Sequence, residues 1–199
     1  SAKILAQSVS IKDKVVSAEG NGIRVGDEVF PISQIEIVTA KPPSIWIGRN
    51  QYRGYVRIFR RPGGRLIAVN VLPLEEYLAS VVNSEMPASF PDEAREAQTI
   101  AARTYVLSQM KGHPQFDVYA TSRSQRYLGY QYLNDEGRRL AGETQGSRNI
   151  TERTAGIVCT WQGKVFTTFY TAVCGGRTPL GRSVFKDAVP AIASVECDW

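Results

Sequence analysis

Glu85 is the residue whose type and position most favour chemistry in this sequence. It follows Leu78 by seven positions and Val81 by four, so on a helix it continues a stripe of apolar side chains. A charged carboxylate against apolar groups costs free energy unless it is paired or protonated. Desolvation raises the pKa of a carboxylic acid, which suits a general acid at neutral pH. The structural alternative is a buried ion pair with Arg103 on the next predicted helix, and the residues alone leave both open.

No second carboxylate is evident on the same helix face. Ordinary glycoside hydrolysis uses two carboxyl groups, so a single acid suits a reaction that does not have to activate water. The sequence contains no GxSxG, HExxH or P-loop motif. Its one histidine, His113, lies in the loop-like stretch KGHPQ and is a poor candidate for a catalytic base.

The composition is that of a globular protein with a mildly basic charge. Apolar residues make up 43% of the chain, and 24 Lys and Arg against 19 Asp and Glu give a net charge of +5. This charge suits an anionic polymer, either nucleic acid or cell wall. The cluster Arg57, Arg60, Arg61 and Arg65 is either a solvated sheet edge or an anion-binding patch. No aromatic stacking motif accompanies it, so no nucleic-acid partner is predicted.

Neither a membrane span nor a metal site is predicted. The sequence has no run of 18 or more apolar residues, and SAKILAQSVS lacks the pattern of a secretory signal peptide. The three cysteines lack the spacing of a zinc site, and no other cofactor is expected. Cys159 falls in the apolar stretch IVCTW and is predicted to be buried, whereas Cys174 and Cys197 could pair in an oxidising compartment.

Strands and helices segregate along the chain, which predicts an α+β fold. Residues 1–40 read as a short β-rich segment, and KPPS at 41–44 as a linker to a second domain at 46–199. Hairpins are predicted at 55–70, turning at RPGG, and at 157–173, turning at Gln162 and Gly163. These β-rich hairpins surround a central pair of helices, and a third helix is predicted at 134–144.

The central pair of helices is predicted to flank Glu85. The first begins near Pro73, and Met86-Pro87 ends it because the residue before a proline avoids helical geometry. The second begins at SFPDEA, with Ser89 as a weak cap, and ends near residues 112–114. The apolar stripe of the first helix is Leu74, Tyr77, Leu78, Val81 and Val82. The close-packing face of the second is predicted to contain Ala94, Ala97, Ala101 and Thr104.

The stretch VNVLPLEEYLASVVNSEMPASFPDEAREAQTIAARTYV at 69–106 closely resembles the SpoIID/LytB family. That family comprises the stage II sporulation protein D and the amidase enhancers. The resemblance continues through YRGYVRIF at 52–59, SQRYLG at 124–129 and FYTAVCGGRT at 169–178. It covers residues 46–198, and its most specific feature is the spacing of SEMP, AQ and AART.

The resemblance implies a lytic transglycosylase acting on peptidoglycan, with Glu85 as the catalytic acid. Such an enzyme cleaves the bond between N-acetylmuramic acid and N-acetylglucosamine, and the muramic C6 hydroxyl closes a 1,6-anhydro ring. One carboxylate then suffices, first as acid and then as base. The sporulation members prefer glycan strands without stem peptides. The matching positions predicted to line the substrate groove are Ser84, Gln98, Arg103, Gln125, Tyr127, Gly175 and Gly176.

The sequence departs from the family at two places. Some relatives bind zinc before the SQRYLG-like motif, but the corresponding positions here are Tyr119, Arg123 and Ser124, which again predicts no metal. Many relatives have a histidine where this chain has Thr171, which bears on rate or substrate preference. The alternative to an enzyme is a non-catalytic module that binds glycan or enhances an amidase. Both hypotheses predict peptidoglycan strands as partners in the bacterial envelope or outside the cell. The amidase-enhancer hypothesis adds a cell-wall amidase as a partner.

Overall fold

The computed structural model describes residues 14–39, 45–110, 112–186, 190 and 192–197. These residues form small antiparallel sheets and helices, which confirms the predicted α+β class. The strands are β1 (Val16–Glu19), β2 (Gly22–Val25), β3 (Glu28–Phe30), β4 (Gln34–Ile37), β5 (Ile45–Ile47), β6 (Asn50–Tyr52), β7 (Tyr55–Arg61), β8 (Arg65–Val71), β9 (Gln131–Leu133), β10 (Arg139–Ala141), β11 (Thr160–Trp161) and β12 (Lys164–Val165). The helices are α1 (Leu74–Glu85), α2 (Asp92–Gln109), α3 (Gln145–Arg153) and α4 (Gly181–Val184).

The sheets form mainly from neighbouring segments of the chain. Among the described residues the strand orders are β1-β2-β3, β4-β7-β8, β10-β9-β6-β5 and β11-β12. The first predicted hairpin is confirmed as β7 and β8, joined by a turn in which Gly63 and Gly64 have φ of 79° and 71°. The second is confirmed with much shorter strands, turning at Gln162 and Gly163.

The predicted division of the chain near residue 40 stays a prediction. The proposed linker at 41–44 lies outside the described residues. On either side of it, β4 pairs with β7 in antiparallel register, with Ile35 opposite Ile58 and Ile37 opposite Val56. These apolar side chains pack in one cluster with Ile45.

The apolar stripe of α1 forms the centre of the main core, as its spacing predicts. Leu78 and Val81 are fully buried and pack with Ala102 and Val106 of α2. Burying such side chains stabilises the fold by roughly 1.5–3 kcal/mol each relative to exposure, which fixes the two helices against each other. None of the helices in the described residues is long and apolar enough to cross a membrane.

The predicted packing face of α2 is confirmed at Thr104, which is fully buried, and wrong at Ala97. Ala97 is exposed, and the buried face instead contains Arg95, Thr99, Arg103 and Val106. Arg103 lies on this face because α1 and α3 pack beside α2 and offer it polar partners, Glu75 and Thr151. Arg95 differs, since its buried Nε and Nη2 atoms make no hydrogen bond within the described residues. Ser89 also does not cap α2; Pro91 occupies the cap position, without a side-chain hydrogen bond.

The predicted helix at 134–144 is wrong, and a hairpin lies there instead. The Asn134 Oδ1 atom accepts hydrogen bonds from the backbone N–H groups of Glu136 and Arg138 at 3.1 and 2.8 Å, which turns the chain between β9 and β10. The third helix begins later because Thr144 caps it. The Thr144 hydroxyl accepts from the Ser147 N–H at 3.1 Å, and Ser147 Oγ accepts from the Thr144 N–H at 2.9 Å.

The arginines near the first hairpin contact neighbouring segments. Arg57 pairs with Glu36 across the sheet at 2.6 Å, and Arg60 donates to the Gly20 carbonyl. Arg61 lies 3.3 Å from the Nε2 atom of His113. All three lie on β7, the central strand of its sheet, so the predicted sheet edge is wrong for them, and their side chains bind neighbouring segments instead.

Candidate active site

Glu85 is the last residue of α1 and is half-buried. The helix ends there because Met86, which precedes a proline, is extended with φ −129° and ψ 132°. The Oε1 atom of Glu85 accepts a hydrogen bond from the backbone N–H of Arg126 at 2.8 Å. Within the described part of the chain, Oε2 accepts no hydrogen bond. The carboxylate is thus held by one oxygen, and the other is open to a ligand.

Ser84, the residue before Glu85, binds the segment that contains Arg126. Its hydroxyl donates to the carbonyl of Arg126 and approaches the Val81 carbonyl at 3.0 Å. One turn earlier, Ser80 Oγ accepts the N–H of Leu128 at 3.2 Å. The end of α1 therefore binds the segment 126–128 at several points. Ser84 acts on the site through this segment, a role different from the predicted groove lining.

Arg103 is not the partner of Glu85. It is 1% exposed, and its Nε and Nη2 atoms donate to the two carboxylate oxygens of Glu75 at 2.9 and 2.7 Å. Its remaining donors bind the carbonyls of Ile157 and Thr151 at 3.1 and 3.3 Å. The proposed Glu85–Arg103 pair is therefore wrong. Arg103 joins α1, α2 and the end of α3, and the structure does not bring it to the groove.

Other carboxylates around the helices also have arginine partners. Asp92 and Glu96 both bind Arg153 at 2.7 Å. Glu143 binds Arg53 at 2.7 Å from a nearly fully buried position. Glu85 has no arginine partner of this kind among the described residues. Glu76 and Glu93 also lack such a partner among the described residues. Glu85 differs from them because it ends α1 and accepts the hydrogen bond of the Arg126 N–H.

Gln125 and Tyr127 of the SQRYLG stretch belong to the core. The Gln125 Oε1 atom accepts from the Tyr77 hydroxyl at 3.1 Å, and its Nε2 donates to the Ala102 carbonyl at 3.3 Å. Tyr127 is 6% exposed, and its hydroxyl donates to Asn70 Oδ1 at 2.7 Å. Burial raises the pKa of the Tyr127 hydroxyl. The ring is thus not available for the predicted stacking on a sugar, and it supports the site from below.

Tyr170 is a site residue that the sequence reasoning missed. The Thr168 hydroxyl donates to the Ala101 carbonyl at 2.7 Å, which fixes this segment against α2. Tyr170 itself is 37% exposed, and its hydroxyl approaches the side-chain amides of Gln125 and Gln98. Gln98 Nε2 is buried and makes no hydrogen bond of normal geometry within the described residues. The position of Tyr170 within the family-like motif FYTAVCGGRT could have marked it as a candidate site residue.

The negative charge of Glu85 acts on the Tyr170 hydroxyl and raises its pKa. Burial, with the negative charge of Glu85 as the next contribution, raises the pKa of Tyr170 to about 12. The hydroxyl therefore keeps its proton at neutral pH and can act as a hydrogen-bond donor. Burial likewise raises the pKa of Tyr77, which lies beneath the same site.

Gly175 and Gly176 form a turn beyond Tyr170. Their φ angles are 64° and 90°, which disfavour any residue with a side chain. The Arg177 N–H donates to the Cys174 carbonyl at 3.3 Å across this turn. No atom lies within 4 Å of where a Cβ would be at either glycine, so the turn itself requires them. Their predicted contact with glycan remains a prediction.

A cavity of about 860 Å³ adjoins Tyr170. Its walls are largely apolar, and the rings of Phe169 and Phe185 are parallel at 3.6 Å. Cys174 and Cys197 also line it. Thr171, at the position of the relatives' histidine, is exposed at the same wall, and its hydroxyl donates to the Val173 carbonyl at 3.0 Å.

The loop before the SQRYLG motif is held by contacts among Tyr119, Arg123 and Ser124. The Arg123 guanidinium lies 4.0 Å from the centre of the Tyr119 ring, and the Tyr119 N–H donates to Ser124 Oγ at 3.2 Å. Across the described ranges, no group of three or more His, Cys, Asp or Glu side chains could hold a metal ion. The expectation of a metal-free site stays a prediction.

The family model of the stage II sporulation protein, SpoIID, matches residues 62–161, about half of the chain. An uncharacterized protein of Brachyspira hyodysenteriae is 33% identical over 133 residues, covering 65% of this chain and 33% of that protein. The stage II sporulation protein D of Bacillus amyloliquefaciens is 30% identical over 139 residues, covering 66% and 40%. The amidase enhancer of Bacillus subtilis is 32% identical over 113 residues, covering 57% and 14%.

The matched part of the chain spans two fifths or less of the length of these relatives. It contains Glu85, Gln98 and Gln125, whereas Tyr170 lies beyond the residues of the family model. No solved structure matches the chain.

Proposed function

The chain belongs to the SpoIID family, and from this premise we propose that it is a lytic transglycosylase that cleaves the glycan strands of peptidoglycan. The observation that carries the proposal is the position and hydrogen bonding of the Glu85 carboxylate. This carboxylate ends a buried helix, is held through Oε1 by the Arg126 N–H, and keeps Oε2 open in the described structure. One carboxylate held in this way is enough for a reaction in which the substrate supplies its own nucleophile.

In the proposed reaction, the protonated Glu85 donates its proton to the glycosidic oxygen between N-acetylmuramic acid and N-acetylglucosamine. The C1–O bond breaks, and N-acetylglucosamine leaves with a free C4 hydroxyl. Glu85, now a carboxylate, accepts the proton of the muramic C6 hydroxyl, whose oxygen bonds to C1. The glutamic acid is regenerated and no water is consumed.

Tyr170 is placed to orient the sugar during this proton transfer, through a hydrogen bond from its hydroxyl. Its hydroxyl is protonated at neutral pH, as for any tyrosine, and burial and the charge of Glu85 raise its pKa further. It lies at the exposed side of the site, between Gln98 and Gln125 and the adjoining cavity. We assign it the binding of a sugar hydroxyl or N-acetyl oxygen next to the cleaved bond. The cavity beyond it offers apolar walls to one neighbouring sugar.

A second candidate is a non-catalytic module that grips glycan or enhances an amidase. The similarity to the amidase enhancer of Bacillus subtilis favours it, since that protein is named for an effect on another enzyme. This candidate predicts binding to glycan that survives loss of the Glu85 carboxylate. Under either proposal the protein works in the bacterial envelope or outside the cell, where peptidoglycan lies.

The proposal is tested by digesting two peptidoglycan preparations, one intact and one treated with an amidase to remove stem peptides. Anhydro products are about 18 Da lighter than hydrolysis products, because no water is added. We expect such products from the amidase-treated strands, and fewer from intact ones. Products with a free reducing end would show hydrolysis instead. The absence of products from both preparations, with binding retained, would favour the non-catalytic module.

A further inference from the structure

Two segments at the C-terminal side of the site run antiparallel to each other. Arg177 and Glu196 form a β-bridge, and their side chains pair at 2.6 Å. The Thr178 N–H donates to the Val195 carbonyl at 2.8 Å. The Cys197 N–H donates to the Gly176 carbonyl at 2.9 Å. These bonds hold Cys197 next to the turn that Cys174 begins.

Cys174 and Cys197 come together across this turn. The left-handed conformation of Gly175 and Gly176 folds the chain back, the Cys197 N–H binds the Gly176 carbonyl at 2.9 Å, and both thiols line the same cavity, where each shifts the pKa of the other. Both side chains are half-buried, so a small oxidant can reach them. Cys159, just before β11, is bound to α2 instead, because its N–H donates to Thr104 Oγ1 at 2.9 Å.

We propose that Cys174 and Cys197 form a disulfide that ties the C-terminal segment to the turn after Tyr170. Both cysteines are free thiols in this structure and line the cavity beside Tyr170. The bond would fix one wall of that cavity by a covalent link. The formation of the bond does not depend on the proposed transglycosylase activity, because it rests on the contact between the two thiols.

The bond forms by exchange with a disulfide donor, either an oxidoreductase or a small disulfide such as glutathione disulfide. The hydrogen bond from Cys197 lowers the pKa of Cys174, so Cys174 is the first nucleophile. Its thiolate attacks one sulfur of the donor and releases one donor thiol. The Cys197 thiolate then attacks the Cys174 sulfur and releases the second. The two cysteines lose two electrons and two protons, which the donor disulfide gains.

Peptide mapping tests the bond directly in the wild-type protein. Trypsin cleaves after Lys164 and Arg177, which places Cys159, Cys174 and Cys197 in different peptides. The protein is incubated with glutathione disulfide, its remaining thiols are alkylated, and the digest is analysed without reduction. We expect a linked peptide containing Cys174 and Cys197, about 2 Da lighter than the two free peptides together, with Cys159 alkylated. Alkylation of all three cysteines, or a link to Cys159, would overturn the proposal.

Thermal unfolding gives a second readout with matched variants. Closing a loop of this kind restricts the unfolded chain, so oxidation should raise the Tm of the wild type by about 5 °C or more. The double variant Cys174→Ser/Cys197→Ser should have the same Tm in oxidised and reduced buffer. The variant Cys159→Ser should keep the full shift. A wild type whose Tm is insensitive to oxidation despite the linked peptide would contradict the clamping role.

Discussion

The Glu85 carboxylate and the backbone N–H of Arg126 are joined by a hydrogen bond of 2.8 Å between Oε1 and N. This bond connects the last residue of α1 to a loop far along the chain. It orients the carboxylate and leaves Oε2 without a donor in the described structure. The loop in turn is held by Ser84, so the position of the proposed acid depends on its neighbour in the sequence.

Replacing Ser84 with alanine tests this dependence. The variant loses the hydroxyl that binds the Arg126 carbonyl, so the loop and the Glu85 carboxylate lose a shared support. We expect a loss of about 1 kcal/mol in the free energy of unfolding and a fall of roughly tenfold in kcat. Urea unfolding and the rate of anhydro-sugar release measure the two effects. Ser89→Ala, in the exposed loop before α2, should change neither; equal effects of the two substitutions would contradict the account.

Replacing Tyr170 with phenylalanine removes a hydroxyl and keeps the ring. The hydroxyl is the proposed hydrogen-bond donor to the sugar next to Glu85. We expect kcat/KM to fall roughly tenfold or more, with the Tm nearly unchanged. Tyr119→Phe, which alters an exposed ring held by Arg123, serves as the control and should keep full activity. Full activity of the Tyr170 variant would show that its hydroxyl has no role in the reaction.

Replacing Glu75 with glutamine leaves Arg103 without its carboxylate. The guanidinium is buried, and a buried charge without a partner is costly. We expect the free energy of unfolding to fall by about 3 kcal/mol, measured by urea denaturation. Glu93→Gln, at an exposed position of α2, should change it by less than about 0.5 kcal/mol. If the Glu75 variant were as stable as the control, the pair would not be the structural link described here.

Three tyrosines with raised pKa values, the buried Tyr77 and Tyr127 and the partly exposed Tyr170, predict a loss of stability at alkaline pH. Burial raises the pKa of Tyr77, Tyr127 and Tyr170 above the ordinary value of 10.0, and to about 12 for Tyr170. Above about pH 10 the unfolded chain releases these protons while the folded protein keeps them, so the unfolded state gains stability as the pH rises. The Tm should therefore be unaffected by these groups below about pH 9 and fall between about pH 10 and 12.

Thermal unfolding at increasing pH, with tyrosinate absorbance recorded in parallel, measures this loss. Tyr170→Phe removes one of the three groups and should make the fall in Tm less steep. A wild-type tyrosinate titration centred entirely at the ordinary value would contradict the burial of these rings.

The sequence allowed α1 and both hairpins to be predicted, because their signals are local. The spacing of Leu78 and Val81 reports a buried helix face, and Gly63-Gly64 and Gln162-Gly163 report turns. The prediction of a helix at 134–144 was wrong because the Asn134 side chain stabilises a turn there. A helical pattern of residues does not reveal such a hydrogen bond.

Features that depend on distant segments could not be predicted in the same way. Glu75 lies off the apolar stripe of α1, yet it binds the buried Arg103 of α2. The place of Tyr170 beside Glu85 depends on how residues 167–170 pack along α2. Glu85 itself was found because its position on the apolar stripe and the family resemblance point to the same residue.

The most direct test of the central claim compares wild type with Glu85→Gln on amidase-treated glycan strands. Glutamine keeps the size and the hydrogen bond to the Arg126 N–H but cannot exchange a proton. Glu93→Gln provides a matched exposed control. The account predicts anhydro-ended products from wild type and from the control, and a loss of at least about 100-fold with Glu85→Gln at an unchanged Tm. Equal product release by the Glu85 variant would show that Glu85 is not the catalytic acid.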